Sequence, residues 1–143
     1  MILVDTTAWI DFFAGRPRPH VATLEQLLRT EEDICICGIV LAEVLQGIRS
    51  DPEYTKTKDY FESLVFLPVT HATFLRSSQM YRALRKKGVT IRASLDRMIA
   101  SVAIEHRVPL LHNDRDFDKI AKHTNLAVVK SAKVPSMRPK SRG

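Results

Sequence analysis

Carboxylates set just beyond apolar runs are the residues of this sequence best suited to chemistry. Asp5 follows "ILV" directly, and Asp114, Asp116 and Asp118 crowd into "LLHNDRDFDKI", after an apolar run and ahead of a helical pattern. Glu43 lies within "GIVLAEVLQGI" and Asp96 in the first turn of "SLDRMIASVAIEHR". Each has an ordinary structural reading. Asp5 suits a helix N-cap, Glu43 a core acid paired with an arginine, and Asp96 and the acids from 114 to 118 helix starts that complement the helix dipole. The alternative is a single cleft into which two strand ends and two separate helices each send a carboxylate. Acids gathered that way repel unless protons or a divalent cation compensate. Oxygen donors, with few histidines and no suitable cysteine set, select Mg2+ or Mn2+ over zinc. Such ions suit phosphoryl chemistry, because they polarise phosphate, neutralise developing charge and lower the pKa of bound water.

The elements that must position these acids follow from hydrophobic periodicity. Apolar runs at 2–4, 34–37, 65–69, 108–112 and 126–129 predict five short, buried strands, and amphipathic helical patterns fill the gaps between them. Strand and helix in alternation imply an α/β fold with a mainly parallel sheet covered on both faces. Sites in such sheets collect beyond the carboxyl ends of strands, where strand order reverses, and the residues just after each run are the ones to inspect. The helix carrying Glu43 is apolar around most of its circumference, which predicts a largely buried element; a carboxylate there is costly unless neutral, paired or bound to a cation. Asp96 borders the stripe formed by Leu95, Met98, Ile99 and Val102.

At 143 residues the chain fits one domain, and 45% hydrophobic with 27% charged residues is ordinary for a water-soluble protein. No apolar run has the length of a membrane span. The start "MILVDTTAWIDFF" lacks a basic region and is interrupted by Asp5 and Asp11, so no secretory signal is expected and the cytoplasm is the natural location. Cys35 and Cys37 alternate onto one strand face, which predicts buried thiols rather than a disulfide or a zinc site. A net charge of +6 favours anionic partners. Part of it comes from "KSAKVPSMRPKSRG", so the domain is assigned to 1–130 and 131–143 to a basic, flexible, solvated tail. Arg82, Arg85, Lys86 and Lys87 in "MYRALRKKG", with Arg92 on the approach to Asp96, suit either RNA phosphate contacts or a solvated helix end complementing its dipole. His20, His71, His106 and His123 read as surface or capping residues; His112, two residues before Asp114, is the one to watch.

The order Asp5, Glu43, Asp96, Asp114, carried by "VDTTAWID", "LAEVLQGI", "IRASLDRMIASVAI" and "LLHNDRDFDKIA", resembles the PIN-domain ribonucleases, and most closely the VapC-type toxins, over nearly the whole chain to about Val129. That resemblance implies an α/β/α sandwich around a five-stranded, mainly parallel sheet of order 3-2-1-4-5. It implies a catalytic set of Asp5, Glu43, Asp96 and Asp114. Asp5, Asp96 and Asp114 would hold Mg2+ or Mn2+, and Glu43 would ligate or activate water. Thr6 or Thr7 matches the family's hydroxyl position beside the first acid. His112 stands where many relatives have Thr or Ser, Asp116 is a candidate supporting or second-metal acid, and Asp118 remains a helix-start acid.

The resemblance further implies an endoribonuclease that leaves 5′-phosphate and 3′-hydroxyl ends and blocks translation. Its partner would be a VapB-type antitoxin whose C-terminal segment covers the acidic cleft. A homodimer is also implied, with Trp9, Phe12 and Phe13 serving either that interface or the core. Competing readings are a PIN nuclease of RNA processing and a PIN-like module that binds RNA or protein without cleaving. A phosphotransferase with an aspartate nucleophile fits poorly, because "TT" follows Asp5 where the paired acid of that class would stand.

Overall fold

The computed structural model describes residues 1–130; the basic tail expected at 131–143 lies outside them. Apolar runs too short to be helices pair as strands, and each is followed by amphipathic helices. β1 (Ile2–Val4) leads into α1 (Thr6–Phe13) and α2 (Pro19–Arg29), and β2 (Ile34–Cys37) into α3 (Gly38–Gln46) and α4 (Asp51–Glu62). β3 (Val65–Leu67) leads into α5 (His71–Lys86) and α6 (Ser94–His106), and β4 (Leu110–Leu111) into α7 (Arg115–His123). All neighbouring strands are parallel and the order is β3-β2-β1-β4. The chain therefore steps from β1 through β2 to β3 and returns to the other side of β1. With right-handed crossovers, α1 to α4 cover one face, packing α1 on α2 and α3 and α3 on α4, while α5 packs on α6 and α6 on α7 over the other. The reversal lies between β1 and β4, and the crevice beyond their carboxyl ends holds Asp5 and Asp114.

Three expectations are corrected. The sheet has four strands, not five. Segment 126–129 lies along the open side of β4 as expected, but makes a single parallel bridge, Leu110 with Val128. The Leu110 N–H donates to the Ala127 carbonyl and the Val129 N–H to the Leu110 carbonyl, each at 2.9 Å. Leu111, the other residue of β4, pairs with Val4 of β1 but makes no bridge on this side among the described residues, so 126–129 does not join the sheet as a strand. Nor is every strand buried: Val65 and Phe66 on β3 are exposed, because β3 is an edge strand, and Pro68, without an N–H, follows its last residue. The helix α3 buries only Val40, Val44 and Leu45, leaving Glu43 half-buried rather than enclosed.

The core runs along both sheet faces through Leu3, Val4, Ile36, Leu110, Leu111, Trp9, Phe61, Ile99 and Phe117. Truncating a fully buried ring such as Phe117 to alanine costs about 3–5 kcal/mol. Cys35 and Cys37 are buried free thiols, as alternation within an apolar strand predicts. Trp9 is fully buried and stacks on Phe13 at 5.7 Å with Phe61 at 5.1 Å, which gives it to the core rather than to a protein interface; Phe13 is exposed. Gly88, at φ +77, reverses the chain after α5, and the Val89 N–H closes back on the Leu84 carbonyl at 2.9 Å. That turn sets the approach to α6 and so to Asp96. Among the described residues no helix is long and apolar enough to cross a membrane.

Candidate metal centre

Asp5 leaves β1 and caps α1 in an extended backbone conformation, its N–H held by the Leu111 carbonyl of β4 at 2.9 Å. This hydrogen bond ties the ends of the two central strands together. The side chain is 2% exposed and accepts the Thr7 hydroxyl at 2.5 Å. Burial pushes its pKa up to about 6, against hydrogen bonds from Thr7 and from the Thr6 and Thr7 N–H groups, with the Asp114 charge adding to the rise. The Thr6 hydroxyl points elsewhere and donates to Glu43 Oε1 at 2.7 Å. Consecutive threonines thus fasten two acids from different elements, one through each hydroxyl.

Asp96 lies in the first turn of α6, half-buried, where burial and then the charges of Asp114 and Asp5 raise its pKa to about 7. Asp114 caps α7, accepting the Asp116 N–H at 2.8 Å. Carboxylate oxygens of Asp96, Asp114 and Asp116 lie within 4.8 Å of one another, a spacing that one cation could span. Among the described residues Asp5, Asp96 and Asp114 form no ion pair; Asp116 has Lys119 at 3.7 Å. A donor set made only of carboxylates, in which Asp5 and Asp96 have raised pKa values and no cation pairs with Asp5, Asp96 or Asp114 among the described residues, fits a hard divalent ion.

Other candidate residues take clear places. His112 is mostly buried, and its Nδ1 accepts the Asp114 N–H at 3.0 Å, which leaves the ring proton on Nε2, 3.3 Å from Asp118 Oδ1. Burial lowers its pKa, against the pull of Asp118 and Asp114. Asp118 is exposed and reaches the site only through that ring. Arg92 is exposed, two residues before α6. A cavity of about 450 Å³ beside the acids is lined by His112, Asn113, Asp114, Arg115, Asp118 and Val128 to Lys130.

His20 departs from its expected surface role. It is 2% exposed, and its Nε2 meets Asp11 Oδ2 at 2.6 Å, while Arg16 donates to Asp11 Oδ1 at 2.6 Å. Burial alone would raise the Asp11 carboxyl, but the two donors outweigh it and hold its pKa below the usual value. No spacing rule signals this pair, since the loop between α1 and α2 brings it together.

Residues 2–123 match the PIN domain family. The chain is 36% identical over 128 residues to ribonuclease VapC11 of Mycobacterium tuberculosis, covering 88% of this chain and 96% of that protein. It is 30% identical over 121 residues to ribonuclease VapC18 of the same organism, covering 82% and 85%. Among solved structures, VapBC2 from Rickettsia felis, bound to a DNA fragment from its promoter, superposes with a TM-score of 0.70 at 25% identity, over 90% of this chain and 98% of that one. FitAcB from Neisseria gonorrhoeae shares the fold at a TM-score of 0.69 and 22% identity, over 91% and 97%. A match that spans the strand-end acids and the helices carrying Glu43 and Asp96, with relatives alike along nearly their whole length, makes this chain a PIN-domain protein of the VapC ribonuclease family.

Proposed function

We propose that this chain is the toxin of a toxin–antitoxin pair, a Mg2+- or Mn2+-dependent endoribonuclease of the cytoplasm whose cleavage of RNA blocks translation. The observation that carries this reading is the convergence of Asp96, Asp114 and Asp116 carboxylates within 4.8 Å, beside a buried Asp5. A divalent cation bound there supplies charge neutralisation at the scissile phosphate and a more acidic water. Asp5, Asp96 and Asp114 are assigned as its holders, with Asp116 as a supporting acid.

The remaining steps belong to the chain's own side chains. Thr6 holds Glu43 Oε1 by its hydroxyl, so Oε2 is the atom left to accept the proton of an attacking water. The Thr7 hydroxyl keeps Asp5 oriented. In-line attack with departure of the 3′-oxygen leaves 5′-phosphate and 3′-hydroxyl ends. The relatives named VapC, and the VapBC complexes among solved structures, support an antitoxin of the VapB type as partner; a homodimer is part of the same proposal. The test is cleavage of total RNA by the purified protein with Mg2+ or Mn2+ and with excess EDTA. Cleavage confined to the metal-containing reactions and lost in Asp5→Asn is expected; full cleavage in EDTA overturns the proposal.

A further inference from the structure

The segment from Ser63 to Leu95 contains no acidic residue, yet it carries Arg76, Arg82, Arg85, Lys86, Lys87 and Arg92. The antiparallel packing of α5 on α6 divides those cations between two ends. At the start of α5, Arg76 meets Glu105 of α6 at 3.3 Å, and Glu105 also accepts the Thr73 hydroxyl at 2.9 Å, so that end is neutralised within the fold. At the other end, Arg82, Lys86, Lys87 and Arg92 are exposed, and none has an ion pair among the described residues. Arg82, Lys86 and Lys87 line, with Gln79 and Ala83, a depression of about 370 Å³. A helix dipole accounts for basic residues in the last turn, but not for Arg82 a turn earlier or Arg92 beyond the helix.

This end lies level with the start of α6. Tyr81, next to Arg82, is covered by Arg97, next to Asp96, with the guanidinium 4.6 Å from the ring centroid; Arg85 covers the same ring at 5.3 Å. The carboxyl-terminal end of α5 therefore packs against the amino-terminal turn of α6, the turn that carries Asp96, and the unpaired cations belong to that end of the helix pair.

We infer that the carboxyl-terminal end of α5, through Arg82, Lys86 and Lys87 with Arg92, is a phosphate-binding track for the flank of a single-stranded RNA whose scissile bond lies at the carboxylates. The inference rests on the ribonuclease reading and deepens it by saying where the strand runs. A strand placed only over repelling acids would be driven off; a cationic margin supplies attraction on one side and fixes the direction of approach.

The test is salt-dependent binding of a labelled single-stranded RNA by fluorescence anisotropy without divalent metal, across about 50 to 300 mM potassium chloride. It compares the wild type, the triple variant Arg82→Ala/Lys86→Ala/Lys87→Ala and Arg76→Ala, with metal-dependent cleavage by the wild type assayed alongside. Three lost phosphate contacts shrink the slope of log K against log salt by about 2 for a single strand. That shrinkage in the triple variant, with Arg76→Ala unchanged, supports the track. An unchanged slope in a folded triple variant overturns it, and so does loss of polyglutamate binding with RNA binding intact, which would assign the surface to an acidic protein. A wild type that binds with the full slope but never cleaves leaves the track standing and removes the nuclease reading.

Discussion

Asp5 and Asp11 belong to the same helix, α1, one as its cap and one within it, and solvent reaches only 2% and 6% of them. Their surroundings are opposite. Asp11 receives Arg16 and His20, and its pKa is held below the ordinary value. Asp5 receives hydroxyl and backbone donors but no cation, faces Asp114 and Asp96, and is pushed up to about 6, with Asp96 at about 7. An acid supplied with cations by its own fold is electrostatically complete and serves stability. Acids left without one hold protons or take a cation from outside, and that deficit is what function requires.

Substitutions that remove charge while keeping shape test this contrast most directly. Asp96→Asn is expected to lower kcat/KM for RNA on the order of 10³-fold, yet to raise the unfolding midpoint in EDTA, because it relieves repulsion. A lower midpoint in EDTA would break the comparison. Glu43→Gln is expected to lower kcat about 10²-fold with little change in cation affinity, read by steady-state cleavage beside Mn2+ titration.

Stability should also follow pH in a direction fixed by the raised pKa values. Asp5 and Asp96 keep protons in the folded chain that the unfolded chain has released. Their contribution is full below about pH 4 and is lost as pH rises through 6 to 7. Thermal unfolding in EDTA is therefore expected to weaken over that interval. Mn2+ at about a hundredfold over its Kd should restore about 2.7 kcal/mol, most fully above pH 7, where protons no longer compete. At the self-neutralised acid the expectation reverses: His20→Ala costs about 2 kcal/mol in urea unfolding and leaves cleavage within a few-fold. The smallest effect is expected at His112→Ala, about 1 kcal/mol of stability and about tenfold in Mn2+ affinity, as the Asp114 N–H loses its acceptor.

Much of the acidic centre was legible because apolar runs mark strand ends, and strand ends in a parallel sheet point at one crevice. Strand-end position alone assigns Asp5 and Asp114 to that crevice. Asp116 was harder to place, since its approach to Asp96 depends on how α7 sits against α6. Asp118, two residues further along the same helix, is exposed, so the triplet does not act as a unit. The burial of Glu43's helix was overestimated because an apolar composition does not reveal how few neighbours cover it. His20 was misjudged because its partner Asp11 is joined to it only by a loop, and no periodicity records such a pairing. The fifth strand stops at one bridge: 126–129 has strand composition, but only Val128 pairs with β4, and composition does not record how many pairs a segment makes.

Asp114 also carries a consequence for how such a chain can change. One carboxyl group both begins α7, by accepting the Asp116 N–H, and stands in the acidic trio. A lineage drifting toward silence through alanine at 114 would lose the helix start together with the charge. Through asparagine it would keep the start and discard only the charge. Inactive descendants that still fold, and still occupy an antitoxin, have a narrow door to pass through at this position.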